Sequence, residues 1–283
     1  MTAAGSDWLP RIGVPAHRAP EGAVDCHHHV YDRRFPLVAD AAYRPGDATA
    51  DDYLSFRARL GFAASVVIQP SVYGFDNACT LDAVRRLGAA RAVAVIAGDE
   101  SPAALHALSA GGTVGIRLQA GGPTRPALAR LEVLARRADE QGWHLQLHLD
   151  ADLIVEAATR LAALDVDLVF DHFGRIPYPD GAGHPAFGVM ASLVARGRTW
   201  VKLSAGYHFT RSGGPEYDDV GALTRAFLAL APERMLWGTD WPHPTETAKP
   251  DISILFDRFA EWAGPDVAAR VLVGNPRALY RFA

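Results

Sequence analysis

Imidazoles, a carboxylate and an arginine recur where short apolar runs of this chain end. The run 24–30 closes on His27-His28-His29, and later runs end in His148, in Asp171-His172 and in Gly238-Thr239-Asp240. Side chains alternate along a strand, so His27 and His29 share one face and His28 points away. Neutral imidazoles converging on one point suit either a divalent metal or the polarisation of a carbonyl oxygen. Zn²⁺ takes His and carboxylate ligands, and a catalytic zinc keeps one position open for water. A carboxylate beside such a centre can take the proton from that water. Two imidazoles on one inward face also need polar partners, which an apolar core does not offer. Chemistry is therefore expected of His27, His29, His172 and Asp240. His148 stands beside them either as a further ligand or as a satisfied core residue. Arg117 ends another run, and Gln69, Ser71, Tyr73, Lys202 and Ser204 lie at the ends of others. His28, His144 and His184 are read as packing or surface residues, and Asp171, on the opposite face from His172, as a hydrogen-bonding support.

Positioning these groups falls to a regular alternation of elements. Strand-type runs are expected at 24–30, 65–70, 92–97, 114–118, 144–149, 167–171, 199–204 and 235–239. Between them lie stretches such as AALHALSAG and PALARLEVLARRADEQGW, with apolar residues at three- and four-residue spacing. Gly88, Gly111 and Gly142 follow the last periodic residue of such stretches, where a helix C-cap belongs. Strands alternating with helices predict parallel βαβ units, and eight units make a single-domain α/β fold, the (β/α)8 or TIM barrel. The rival open sheet usually carries a Gly-rich phosphate loop after its first strand; here that strand ends in HHHVYD. In a barrel, catalytic side chains project from the carboxyl ends of the strands, which is where the residues above lie. Residues 1–22, with three prolines, are read as an arm on a barrel spanning 23–283.

Composition narrows the partners. The 283 residues are 49% hydrophobic with a formal net charge of −4, and no basic stripe marks a nucleic-acid binder. The two cysteines, Cys26 and Cys79, form no disulfide or CxxC pattern, which fits a reducing cytoplasm. No apolar run approaches the roughly 18 residues a bilayer span needs, so neither a membrane nor a nucleic acid is expected as partner. A small-molecule substrate remains, and the oligomeric state has no sequence signature here.

The set HxH after the first strand, DHFGR after the sixth and WGTDWPHP after the eighth resembles the amidohydrolase-related (amidohydrolase 2) barrels. It is similar to the branch containing 2-pyrone-4,6-dicarboxylate lactonase, sulfomuconolactone hydrolase and galactarolactone isomerase. VIQPSVYGFDN, GTVGIRLQ, WVKLSAG, PEYDDV and VGNPRALY extend the likeness from Val24 to Tyr280. The resemblance implies a distorted (β/α)8 barrel that opens a small anionic lactone. His27, His29 and His172 would hold the carbonyl oxygen while Asp240 activates water. It further implies either no metal or one Zn²⁺ on His27, His29, His148, His172 and Asp240. The dicarboxylate lactonase has a Tyr where this chain has His148, and an Arg in the strand-7 loop where this chain has Tyr207-His208. One anionic group on Arg117, helped by Tyr43, Ser71 or Tyr73, is therefore expected, with Arg125 and His208 as further substrate contacts. The isomerase carries Asn in place of Asp240, so hydrolysis is favoured. Metal-dependent decarboxylation of an aromatic or muconate-type acid is the alternative that His148 keeps open.

Overall fold

A computed structural model describes residues 9–10, 12–178 and 180–282. Eight strands pair in parallel and in chain order: β1 (Val24–His28), β2 (Ala64–Ile68), β3 (Ala90–Ala94), β4 (Thr113–Ala120), β5 (His144–Leu149), β6 (Leu168–Phe170), β7 (Thr199–Leu203) and β8 (Met235–Trp237). Around them run α1 (Ala50–Leu60), α2 (Ala78–Leu87), α3 (Pro102–Ala110), α4 (Leu131–Glu140), α5 (Ala151–Glu156), α6 (Ala158–Ala162), α7 (Pro185–Ala195), α8 (Asp218–Leu230), α9 (Ile252–Ala269) and α10 (Asn275–Tyr280). This is the expected (β/α)8 barrel. The helix boundaries have local causes. Thr49 and Asp52 form a capping box on α1, Ser101 caps α3 with Pro102 following, and Gly88 and Gly111 close α2 and α3.

The seam between β1 and β8 sets the site. His28 bridges Trp241; the His29 N–H donates to Trp241 O and the Asp240 N–H to His27 O, each at 2.8 Å. Behind the seam lies Asp25, fully buried. It accepts from the backbone N–H of His27 (3.1 Å) and Thr239 (2.9 Å), from the Thr239 hydroxyl (2.6 Å) and from Tyr53 of α1 (2.8 Å). Hydrogen bonds to a charged acceptor contribute about 1.5–3 kcal/mol each, so this carboxylate fastens both strands to α1. The β1–β2 register shifts between Asp25 and His28. Cys26 joins the apolar cluster inside the barrel, and the next residue, His27, also faces inward to meet Lys202 and Asp171. The irregularity is what aims two consecutive side chains at the same interior.

Two apolar layers flank the strands. One packs strands against helices; the smaller fills the barrel interior with residues such as Val66, Val169 and Leu236 and includes Tyr280 of α10. Of the expected arm, residues 1–8 and 11 lie outside the described residues. Its Gly13, Ala16 and His17 N–H groups donate to Asp251 and Asp257 at the start of α9. Among the described residues no helix is long and apolar enough to cross a membrane.

Candidate active site

Past the carboxyl ends of the strands lies a cavity of about 120 Å³, whose lining includes His29, Arg117, His148, His172, His208 and Asp240. Tyr43, Ser71, Gln119 and Thr245 add to its polar wall. His27 sits beneath it, fully buried.

Asp240 is the centre of the arrangement. Its Oδ1 lies 3.5 Å from Nε2 of His27, 3.5 Å from Nε2 of His29 and 3.9 Å from Nε2 of His172. Its Oδ2 accepts from the Tyr207 hydroxyl at 2.5 Å, and that hydroxyl takes a hydrogen bond from Nδ1 of His243 at 2.9 Å. Burial alone would raise the pKa of Asp240. The attraction of His172 first, and then the neighbouring His208, His29 and His27, instead hold it well below the usual carboxylate range. Asp240 is therefore an ionised acceptor with one oxygen fixed and the other facing three imidazoles. Tyr207, raised well above its ordinary value by burial and by Asp240, stays a neutral donor.

The far nitrogens of the imidazoles are held individually. His29 Nδ1 donates to the Ile68 carbonyl at 2.8 Å, which fixes its proton there. His172 Nδ1 meets the Ser204 hydroxyl at 2.9 Å, and burial pushes its pKa to about 4 against the pull of Asp240 and Asp171. His27 Nδ1 faces Asp171 Oδ1 at 3.2 Å and the Lys202 ammonium at 3.4 Å. Burial, then Lys202, keeps His27 neutral, with a pKa well below the ordinary histidine value.

Strand alternation placed Asp171 away from His172, and the structure corrects this. The β6 ladder ends at Phe170, and His172 and Phe173 adopt positive φ (51° and 57°), so the chain leaves strand geometry there. Asp171 then turns into the barrel interior, where its Oδ2 accepts from Arg117 Nε at 3.0 Å. Arg117 is thus half of a buried ion pair and also part of the cavity wall.

His148 lies between two guanidinium groups, Nδ1 at 2.5 Å from Arg117 Nη2 and Nε2 at 2.8 Å from Arg175 Nη1. Desolvation, Arg117, His172 and Arg175 together hold its pKa well below the ordinary value. Of the expected substrate contacts, Arg117, Tyr43, Ser71 and His208 line the cavity, whereas Tyr73 and Arg125 do not. The buried Tyr73 hydroxyl accepts from the Asp32 N–H at 3.0 Å, and Arg125 is an exposed partner of Glu156. Tyr207, His243 and Gln119 were given no role by sequence reasoning. Gln119 follows Arg117 by two residues on β4, and that spacing was a usable signal. The first two sit in loops whose path no periodicity encodes.

Ligand-type atoms of His27, His172 and Asp240 lie within 4.8 Å of one another, as do those of His148, Asp171 and His172. The hydrogen bonding disfavours a cation in the second set and leaves the first with mixed backing. Both nitrogens of His148 and an oxygen of Asp171 are engaged by arginines, whereas His27 Nδ1 is backed by both the Asp171 carboxylate at 3.2 Å and the Lys202 ammonium at 3.4 Å. Metal-binding histidines ordinarily back onto a carboxylate, carbonyl or water.

Fold and site together define an α/β barrel in which one carboxylate is ringed by imidazoles at the strand ends. The chain belongs to the amidohydrolase family, whose model matches residues 24–282. It is 32% identical over 279 residues to the 4-sulfomuconolactone hydrolase of Rhizobium radiobacter, covering 92% of this chain and 90% of that one. It is 33% identical over 278 residues to the D-galactarolactone isomerase of Agrobacterium fabrum strain C58, covering 95% and 94%. A crystal structure from Agrobacterium tumefaciens superposes with a TM-score of 0.87 at 30% identity over 96% of this chain and 98% of that one. An amidohydrolase of Burkholderia multivorans with bound zinc shares the fold alone, at 19% identity and a TM-score of 0.75 over 92% and 99%.

Proposed function

We propose that this chain hydrolyses a small anionic lactone without a metal, Asp240 activating water while His27 and His172 polarise the ring carbonyl. The observation that carries the reading is the ionised Asp240, one oxygen fixed by Tyr207 and the other facing three Nε2 atoms. Water attacks the carbonyl carbon as Asp240 takes one of its protons, and the carbonyl π pair moves onto oxygen. Nε2–H groups of His27 and His172 stabilise that oxyanion, the kind of preorganised donation that usually dominates acyl transfer. Ser204 can donate to His172 Nδ1, which leaves the proton on Nε2. His29, protonated at Nδ1, offers its Nε2 lone pair to the water's second hydrogen. Collapse breaks the bond between the carbonyl carbon and the ring oxygen. Asp240 returns its proton to that oxygen, giving a ring-opened hydroxy acid.

Arg117, Tyr43 and Ser71 form the part of the wall suited to one anionic substituent, and His208, 3.0 Å from Glu246, faces it. The lactone-acting relatives support a cyclic ester as substrate, and Asp240 favours hydrolysis over isomerisation. His148 was the argument for a metal-dependent decarboxylase, and its place between Arg117 and Arg175 supports anion binding instead. The free, buried cysteines support a reducing, cytoplasmic setting. The bonds from Gly13 and Ala16 to α9 support reading 1–22 as an arm on the barrel of 23–283.

A pH-indicator assay over a lactone panel tests the proposal. Hydrolysis of at least one anionic lactone is expected, falling about 10²–10⁴-fold in Asp240→Asn. No hydrolysis by the wild type, or undiminished hydrolysis by the variant, contradicts it.

A further inference from the structure

Lys202 is a fully buried cation beneath the cavity, and the reaction above gives it no task. Its ammonium donates to Gln146 Oε1 at 2.7 Å and lies 3.4 Å from His27 Nδ1 and 3.6 Å from Asp171 Oδ1. Nδ1 of His27 thus faces two groups with opposite demands. The ammonium only donates and the carboxylate, 3.2 Å away, only accepts. A neutral imidazole carries a single proton and can answer one of them.

Direction decides between them, because the nearer group is the worse placed. Lys202 lies where it can donate into the Nδ1 lone pair, whereas Asp171 Oδ1, an electrostatic partner of His27 at 3.2 Å, lies off the direction of a well-aligned Nδ1–H bond. The other end of the ring agrees. Nε2 is buried, has no hydrogen-bond partner among the described residues, and faces Asp240 Oδ1 at 3.5 Å. His29 Nε2 already presents a lone pair to that oxygen at 3.5 Å, so an N–H on His27 Nε2 supplies a donor that the carboxylate can use. Two residues on, His29 is the reverse case, its Nδ1 proton held by the Ile68 carbonyl. The two histidines of the HxH pair therefore carry their protons on opposite nitrogens, which does not match a pair of metal ligands.

We infer that Lys202 is a positioning residue that keeps the proton of His27 on Nε2, making His27 a hydrogen-bond donor to substrate and a poor ligand for divalent metal. A cation bound at Nε2 needs that lone pair, so it would drive the proton to Nδ1 and against the ammonium. Gln146 holds the ammonium in place from below. The use of this device rests on the lactonase reading; its test does not.

The experiment is ring ¹⁵N NMR of the full chain labelled at histidine, with His27 assigned from the spectrum of His27→Gln, alongside Zn²⁺ affinity from competition with a chromophoric chelator. The wild type should show the protonated nitrogen at Nε2. Lys202→Met should move the proton to Nδ1, towards Asp171, and bind Zn²⁺ about 10–100-fold tighter, the range that partners of metal-ligating histidines command. Lys202→Gln, whose amide can still donate to Nδ1, should keep both wild-type properties. A wild-type ring protonated at Nδ1 overturns the inference whatever the variants do. So does a folded Lys202→Met with unchanged tautomer and Zn²⁺ affinity, or a Lys202→Gln that behaves like Lys202→Met. A panel without any hydrolysed lactone would remove the proposed activity and leave these spectra to be judged on their own.

Discussion

Tyr207 shows how one hydroxyl can govern a carboxylate. It donates to Asp240 Oδ2 at 2.5 Å while His243 supplies it with a hydrogen bond at 2.9 Å, so Asp240 cannot swing its second oxygen towards the imidazoles. Tyr207→Phe removes the bond and leaves the ring packing. Misplacing a reacting group by about 1 Å can cost on the order of 10²-fold, so kcat should fall by about that factor with KM little changed. Steady-state kinetics that show an unchanged kcat would remove Tyr207 from the account. For Arg117 the proposed role is binding. It has 4% of its side-chain surface exposed and shares Asp171 with the site, so Arg117→Met should raise KM and also lower stability by about 3–5 kcal/mol, the cost of leaving a buried partner charge unpaired. Kinetics and urea denaturation of one preparation read both effects. Residue type at strand ends was enough to bring His27, His29, His172 and Asp240 together. It was not enough for Tyr73 and Arg125, since a side chain near a strand end in sequence can turn to a backbone N–H or to a surface carboxylate instead.

The seam between β1 and β8 is the element on which the site depends. A Cβ at Gly238 would stand 2.7 Å from both Cβ and N of His27, so even a methyl group must push the strands apart. Gly238→Ala should destabilise the fold by about 1–3 kcal/mol through overpacking and lower activity more than stability alone explains. A variant with wild-type denaturation midpoint and kinetics would show that the seam yields freely. The eight strands and their parallel order were legible from alternation, because buried strands leave short apolar runs and their helices leave a 3.6 period. Their carboxyl ends were not. The ladders of β6 and β8 stop at Phe170 and Trp237, short of the expected Asp171 and Thr239. There the backbone gives up strand pairing to aim side chains, and Asp171, His172 and Asp240 owe their directions to local turns, the latter two at positive φ, that alternation does not describe.

Across the whole molecule, imidazoles buried in neutral form tie stability to pH. Burial, first of all causes, lowers the pKa of His144 and of His243 to about 3 and holds His28 well below its ordinary value. In the unfolded chain each takes up a proton below about pH 6.5, while the folded chain refuses it, so stability falls as pH drops. The loss begins near pH 6.5 and continues towards the folded pKa, at up to about 1.4 kcal/mol per pH unit for each site. Asp171 and Asp240, whose pKa values are depressed, lose their contribution in the same direction but only below about pH 4, where unfolded carboxyls protonate. The urea midpoint should therefore fall between pH 7 and pH 5, and a constant midpoint would contradict neutral burial. None of this fixes the proposed chemistry, in which Asp240 directs water at a ring carbonyl. Opening the best lactone of the panel in ¹⁸O-enriched water, followed by mass spectrometry of the product, reads that step directly. One ¹⁸O in the new carboxylate and none in the new hydroxyl is the predicted result; ¹⁸O in the hydroxyl, or a rearranged lactone that carries none, would contradict it.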